Sequence, residues 1–246
     1  GGSDKGADGP DFSNGFGTMD LLRSVEMIEK DHYFINIITP NATASHSVII
    51  PPNTVQLKVL LYWNDPAASL LSKWSLVNDL DLEVVDPSSS TNYAKILDTT
   101  IANLDRVATT GQDHTNNIEQ VVINNPAAGT YTFKIKGTAI AQNPSQEYVV
   151  AYDVLPVSLQ LTYPAAGEAL VPTVTNLDMV KISWDAYGNT TSTFNIQFSA
   201  DGGLSWNDIA TNLDGARRVY SWFVPNVATG NALVRIVQNG TGLTST

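Results

Sequence analysis

The sequence contains no cysteine. That absence excludes disulfide bonds, thiolate nucleophiles and thiolate zinc sites together, and it leaves the redox compartment undetermined. No apolar run reaches the roughly 18 residues of a membrane-spanning helix, so we expect no membrane insertion. Positive charge is also scarce, because 13 Lys and Arg stand against 24 Asp and Glu, a formal net charge of −11. A surface this acidic disfavours nucleic acid, since phosphate recognition needs a cationic surface.

Catalytic signatures are missing as well. The three histidines are His32, His46 and His114, and neither a Gly-x-Ser-x-Gly elbow nor another nucleophile motif accompanies them. The stretch from Asp113 to Glu119 could supply an imidazole or oxygen ligands, but its spacing matches no zinc signature. We therefore predict that these residues form a polar loop and that the chain has no catalytic residue.

The chain opens with GGSDKGADGP, which is polar and Gly-rich and has no signal-peptide pattern, as at the start of an excised fragment. Residues 1–17 are predicted to be mostly loop. A short helix is predicted next, with Thr18 as N-cap and Asp20 in the first turn, where the helix dipole favours an anion. Its apolar stripe consists of Leu21, Leu22, Val25 and Ile28.

Alternating apolar residues then predict a long series of β-strands. Leu80, Leu82 and Val84 alternate with Asp81 and Glu83, which is typical of a half-buried strand. Further strands are predicted at His32–Ile38, His46–Pro51, Val55–Trp63, Ala94–Leu97, Asn117–Ile123, Gly129–Gly137 and Glu147–Val154. Because no helical pattern separates these strands, we predict an antiparallel β-sandwich.

A second β series follows Leu155 and Pro156. In it, Val180, Ile182 and Trp184 share one face of a strand, and Phe194, Ile196 and Phe198 share one face of the next. Short strands with an early buried Trp favour an immunoglobulin-like or fibronectin-type-III-like sandwich. The chain as a whole is therefore predicted to be all-β, with one short N-terminal helix.

Three blocks of sequence carry a more specific likeness. They are LYWNDPAA (Leu61–Ala68), LVNDLDLEVVDP (Leu76–Pro87) and NNIEQVVINNPAAGTYTFKIKG (Asn116–Gly137). Together they resemble the jelly-roll domain that follows the catalytic domain in secreted bacterial subtilisin-like serine proteases, a domain related to the P-domain of proprotein convertases. GPDFSNGFGTMDLLRSVEMIE (Gly9–Glu29) is similar to the closing segment of the subtilisin catalytic domain, although the family's Gly-Thr-Ser-x-Ala-x-Pro motif is absent here.

The resemblance implies three parts. Residues 1–30 would be the end of a subtilase catalytic domain, 31–155 a P-domain-like jelly roll, and 156–246 an immunoglobulin- or fibronectin-III-like module. It implies a secreted or cell-surface protein whose parent is a serine endopeptidase, with the upstream protease domain of the same polypeptide as partner. This chain would stabilise or orient that domain and help to engage protein substrate. The apolar stripe of the helix would then either pack on the jelly roll or remain exposed.

Calcium is the metal that the sequence favours. Loop carboxylates and carboxamides can give Ca²⁺ its six to eight oxygen ligands, and jelly rolls related to this one in the subtilase family bind calcium. The opposing interpretation is that these residues only cap turns and solvate loop ends. The candidate ligands are Asp65, Asn78, Asp79, Asp81, Asp113, Asn117 and Glu119.

Two other functions stay open. A carbohydrate-binding or cell-surface adhesion module pair would use exposed aromatic rings to stack on a polysaccharide. Trp63 and Trp184 lie in strand phase and are predicted to be core, whereas Trp74, Trp206 and Trp222 lie nearer to loops or strand ends. The Gly9–Glu29 block argues against this alternative, because a free-standing lectin has no reason to carry it. A self-sufficient hydrolase would have to show turnover by this chain alone.

Overall fold

In the computed structural model, residues 2–3, 6, 9–175, 178–188 and 191–246 are described. The chain divides into two compact units, Gly1–Leu155 and Pro156–Thr246. One α-helix, α1, spans Leu21–Glu29, and a 3₁₀ turn spans Ile101–Asn103. Within the described ranges, no helix is long and apolar enough to cross a membrane.

The first unit is a sandwich of two β-sheets. One sheet has the order β4-β10-β6-β7-β8 and the other the order β3-β11-β5-β9, while β1 and β2 form a separate two-stranded ribbon. This arrangement confirms the predicted antiparallel β-sandwich. The strands are β1 (Gly2–Ser3), β2 (Thr18–Met19), β3 (Tyr33–Ile38), β4 (Thr43–Ile50), β5 (Thr54–Tyr62), β6 (Asn78–Val85), β7 (Thr91–Ile96), β8 (Thr109–Gly111), β9 (Ile118–Asn124), β10 (Gly129–Ile140) and β11 (Gln146–Pro156).

The start of the chain differs from the prediction. Asp20, not Thr18, is the N-cap of α1, and its carboxylate accepts a hydrogen bond from the Arg23 backbone N–H at 3.1 Å. Thr18 is unavailable for capping because it pairs with Ser3 in the β1–β2 ribbon. Residues 1–17 are predicted to be mostly loop, and within the described part of this segment the regular strand is limited to Gly2–Ser3. Residues 1, 4, 5, 7 and 8 of that loop lie outside the described part of the chain.

The core of the first unit lies between its two sheets. Leu80, Leu82 and Val84 are buried in it, as their alternation predicts. The prediction of a half-buried strand is nevertheless wrong, because Asp81 and Glu83 on the opposite face of β6 are buried too. Neighbouring β10 covers them, since Thr138 donates a hydrogen bond to Asp81 and Lys136 forms an ion pair with Glu83. Carboxylates of β6 therefore lie in a poorly hydrated environment.

The second unit is a smaller sandwich, with sheets of order β12-β13-β16 and β15-β14-β17-β18. Its core contains Ile182, Trp184, Phe194 and Ile196, as the sequence predicts, and the predicted second β-sandwich is confirmed. Its strands are β12 (Ser158–Tyr163), β13 (Val180–Tyr187), β14 (Phe194–Ser199), β15 (Asn207–Leu213), β16 (Val219–Trp222), β17 (Leu233–Gln238) and β18 (Thr244–Ser245).

Candidate functional site

The candidate site lies where β6 begins. Asp79 and Asp81 are two positions apart on this strand, so their carboxylates share the face opposite to the apolar core. The loop between β8 and β9 brings His114 over the same face. Nδ1 of His114 lies 2.8 Å from Oδ2 of Asp79 and 3.8 Å from Oδ1 of Asp81. One ligand atom from each of the three residues lies within 4.8 Å of the other two, a spacing that a single metal ion could bridge.

Glu119 adds a third carboxylate from β9. Its side chain is only 1% exposed, and Oε2 accepts a hydrogen bond from the Leu82 backbone N–H at 2.7 Å. β7 pairs with β6 at Glu83, Val84 and Val85, so Leu82 lies just before this pairing begins. The carboxylate of Glu119 therefore acts as the hydrogen-bond partner that an adjacent strand would otherwise supply.

Three buried oxygens at this site lack hydrogen-bond partners. Among the described residues, nothing donates a hydrogen bond to Oδ1 of Asp79, Oδ1 of Asp81 or Oε1 of Glu119. A buried polar atom without a partner costs about 1–3 kcal/mol, and more when it is charged. We call Asp79, Asp81 and Glu119 the carboxylate cluster. Its unpartnered oxygens and its charge are what a bound cation would satisfy.

The electrostatics of the cluster follow from burial. Burial raises the pKa of Glu119 to about 9. The hydrogen bond from the Leu82 backbone N–H lowers this pKa, whereas the negative charges of Asp81, Asp113 and Asp79 raise it further. Burial likewise raises the pKa of Asp79, although the nearby imidazole of His114 opposes this change. Without a counter-ion, Glu119 is therefore protonated at neutral pH, and a divalent cation would favour its ionised form.

Asp65 and Asn78, two other predicted ligands, form structural hydrogen bonds. Asp65 accepts from the backbone N–H groups of Val77 and Asn78, at 2.8 and 2.7 Å. The carboxamide of Asn78 accepts from Gln142 N–H and donates to the Gln142 carbonyl and to Oε1 of Gln146, all within 2.9 Å. These bonds join the loop after β5 and the loop before β11 to the start of β6.

Asp113 and Asn117 shape the loop that carries His114. Oδ1 of Asp113 accepts from the backbone and hydroxyl of Thr115, and Oδ2 accepts from the carboxamide of Asn116 at 2.7 Å. The carboxamide of Asn117 donates to the Trp63 carbonyl at 2.9 Å. The two residues thus fix the loop at both ends of the short segment that places His114 beside β6.

The structure therefore brings together part of the predicted ligand set and adds one residue to it. Asp79, Asp81 and Glu119 supply the unpartnered oxygens, whereas His114 was predicted only as part of a polar loop. The available signal was the position of His114 between Asp113 and the strand that carries Glu119. Buried carboxylates fit the calcium hypothesis, but an imidazole nitrogen is not among the oxygen ligands that calcium prefers. Calcium at this site remains a prediction.

The other two histidines pack against aromatic rings. The ring of His32 stacks on Tyr152, with centroids 4.5 Å apart, and that of His46 stacks on Phe34 at 4.3 Å. Nε2 of His46 also lies 3.1 Å from the hydroxyl of Tyr148. Burial lowers the pKa of both imidazoles, so each is neutral near pH 7.

The helix α1 presents an apolar surface to solvent. Its stripe of Leu21, Leu22, Val25 and Ile28 is more than half exposed at every position. An ion pair between Arg23 and Asp153 of β11 attaches the helix to the sandwich, and both side chains are largely buried. A cavity of about 290 Å³, lined in part by Met27, Leu60 and Tyr152, lies in the same region. Of the two sequence-based expectations for the stripe, exposure is the one observed.

The comparisons with known proteins give one relative in sequence. No protein-family model matches the chain. The serine protease/ABC transporter B family protein tagA of Dictyostelium discoideum is 30% identical in an alignment of 153 residues that covers 57% of this chain. The alignment spans only 8% of that relative's length.

Among solved structures, the chain is similar to the adhesin domain of Epf from Streptococcus pyogenes, at 10% identity and a TM-score of 0.31, over 87% of this chain and 74% of that one. It is also similar to a two-domain fibronectin type III segment of chicken tenascin, at 14% identity and a TM-score of 0.26, over 85% and 95% of the two chains. Structural similarity at TM-scores this low is too weak to indicate a function.

Proposed function

We propose that this chain is a non-catalytic accessory region of a secreted subtilisin-like serine protease, and that it stabilises or orients the protease domain. The observation that carries the proposal is the exposed apolar stripe of α1. A helix whose apolar residues face water implies a missing partner, because natural proteins rarely leave such a surface uncovered. The relative from Dictyostelium discoideum, which is named as a serine protease, supports a peptidase as that partner.

The attachment of α1 makes it suitable as a connector. Asp20 caps the helix and the ion pair of Arg23 with Asp153 attaches it to β11, so the helix is fixed on its polar side while its apolar side is free. Burying four side chains such as Leu21, Leu22, Val25 and Ile28 against another domain would contribute several kcal/mol, at about 25 cal/mol per Å² of apolar area. A stripe of this kind can therefore join two domains rigidly.

The surroundings of the three histidines favour an accessory role over a catalytic one. His114 contacts two carboxylates, which could act as metal ligands, and the other two histidines are stacked on aromatic rings. A nucleophile–base pair built on histidine would need a nucleophile such as a Ser or Thr hydroxyl within hydrogen-bond reach of the imidazole. The cluster is better suited to holding the loops of the sandwich together, and calcium remains one candidate for its cation.

The proposal is tested in the parent polypeptide. The reading frame upstream of Gly1 is expected to encode a subtilase serine motif. Changing Leu22 and Val25 together to Ser in the parent should shorten the half-life of the protease on heating, whereas Glu26→Gln, a change of a polar residue on the same helix, should not. An upstream region that encodes no peptidase, or turnover of casein by the purified chain alone, would contradict the proposal. Specific retention on an insoluble polysaccharide would favour the carbohydrate-binding alternative.

A further inference from the structure

We propose that Asp79, Asp81 and His114 bind a divalent cation of the first transition series, with Zn²⁺ as the representative ion. This inference does not depend on the accessory role proposed above. It rests on which donor atoms the fold brings together and on which of them lack another partner.

The donor set selects the class of ion. Imidazole nitrogens and carboxylate oxygens are both ligands of Zn²⁺ and of related ions of the first transition series. Calcium instead takes six to eight oxygen ligands. Because Nδ1 of His114 faces the carboxylates of both Asp79 and Asp81, the ion between them would have a nitrogen ligand.

The spacing fits one ion with little rearrangement. Ligands that bind one metal at about 2.0–2.2 Å lie about 3.0–3.5 Å from each other. The observed separations are 2.8 Å from His114 to Asp79 and 3.8 Å from His114 to Asp81. Small side-chain rotations would therefore place all three donors around a common centre, and the solvent-exposed His114 leaves a route by which the ion can reach it.

A second observation points to a ligand. Asp81 and Glu119 are each 1% exposed, and each has one carboxylate oxygen that accepts no hydrogen bond from the described residues. The unpartnered oxygen of Asp81 is the one that faces His114. Its other oxygen accepts from the hydroxyl of Thr138, so the carboxylate is already held in one orientation. A metal ligand supported in this way by a neighbouring hydroxyl is a common arrangement.

The experiment uses the whole chain after removal of metals with a chelator. ZnCl₂, MnCl₂ and CaCl₂ are titrated separately, with binding followed by calorimetry and the histidine nitrogens by two-bond ¹H–¹⁵N correlation spectra. We expect one equivalent of Zn²⁺ to bind and to shift Nδ1 of His114. His114→Gln and Asp81→Asn should each weaken Zn²⁺ binding at least ten-fold, while His32→Gln, which changes a histidine outside the site, should leave it unchanged.

Three results would overturn the inference. In the first, Zn²⁺ binds His114→Gln as tightly as the unchanged chain, which would make the zinc adventitious. In the second, Ca²⁺ binds at least as tightly as Zn²⁺ and equally well to the His114→Gln variant, which would indicate an all-oxygen calcium site. In the third, none of the ions binds. Asp81→Asn keeps the size of the side chain and an oxygen that can accept from Thr138. A loss of binding is therefore not expected to come from unfolding, and circular dichroism checks this directly.

Discussion

Glu119 should make the metal-free protein less stable as the pH rises. In the fold its carboxyl group is buried beside Asp79, Asp81 and Asp113, and its pKa is raised to about 9 from an ordinary value of 4.5. The unfolded chain therefore releases this proton above pH 4.5, while the native state retains it until about pH 9. Stability is thus fully present below pH 4.5 and is lost progressively up to about pH 9.

The size of the effect follows from the two pKa values. A difference of about 4.5 pKa units corresponds to about 6 kcal/mol over the whole range, at about 1.4 kcal/mol per unit. Between pH 5 and pH 8 the loss from this one group comes to about 4 kcal/mol. For a unit of this size, we expect a fall in melting temperature of roughly 10 °C.

Glu119→Gln removes the titration and keeps the acceptor. The carboxamide oxygen can still accept the hydrogen bond from Leu82, and the new NH₂ group can donate to the neighbouring carboxylates. In excess chelator, the variant should lose much less stability than the unchanged chain between pH 5 and pH 8. Glu147→Gln, which changes an exposed glutamate on β11, is the matched control and should behave like the unchanged chain.

Urea denaturation at each pH, followed by tryptophan fluorescence, measures these differences. If Glu119→Gln and the unchanged chain show the same dependence of stability on pH, the carboxyl group of Glu119 is ionised in the fold. The argument that burial holds Glu119 in its protonated form at neutral pH would then be refuted.

Three further outcomes are expected for the whole chain, the first and third measured by calorimetry and the second by hydrogen exchange. Phe133 is fully buried in the core of the first unit, so Phe133→Ala should destabilise that unit by about 3–5 kcal/mol. An unchanged unfolding temperature of the first unit would contradict the assignment of Phe133 to its core. Asp20→Ala should cost about 1 kcal/mol by removing the cap of α1, seen as faster hydrogen exchange in the helix; unaltered exchange would mean that the cap contributes nothing. Val25→Ser, on the exposed stripe, should change stability by less than about 0.5 kcal/mol, and a larger loss would show that the stripe is packed within this chain.

Local patterns in the sequence were enough to predict the fold class. The alternation of Leu80, Leu82 and Val84 predicts which side of β6 faces the core, because side chains alternate across a strand whatever its neighbours are. The burial of Asp81 was not predictable in the same way. It depends on Thr138 of β10 and on the loop that carries His114, and both are distant in sequence.

The same limit applies to the candidate site. Carboxylates and carboxamides near strand ends could be recognised as potential ligands, but their hydrogen bonds separate them into two kinds. The carboxylate of Asp65 accepts hydrogen bonds from the backbone, and the carboxamide of Asn78 is hydrogen-bonded to Gln142 and Gln146. Asp79, in contrast, has one carboxylate oxygen without a hydrogen-bond partner. His114 was missed as a ligand because its contact with Asp79 joins residues 35 positions apart. The start of α1 was misplaced for a similar reason, since Thr18 pairs with Ser3.

We propose that this chain stabilises a peptidase and is itself non-catalytic. The most direct measurement is the half-life of the parent protease at elevated temperature, with and without residues 31–246, using a small peptide substrate. We predict a markedly shorter half-life for the truncated enzyme, with kcat/KM before heating unchanged. An equal half-life, or a truncated enzyme that is stable but has lost turnover of the small peptide, would contradict the account.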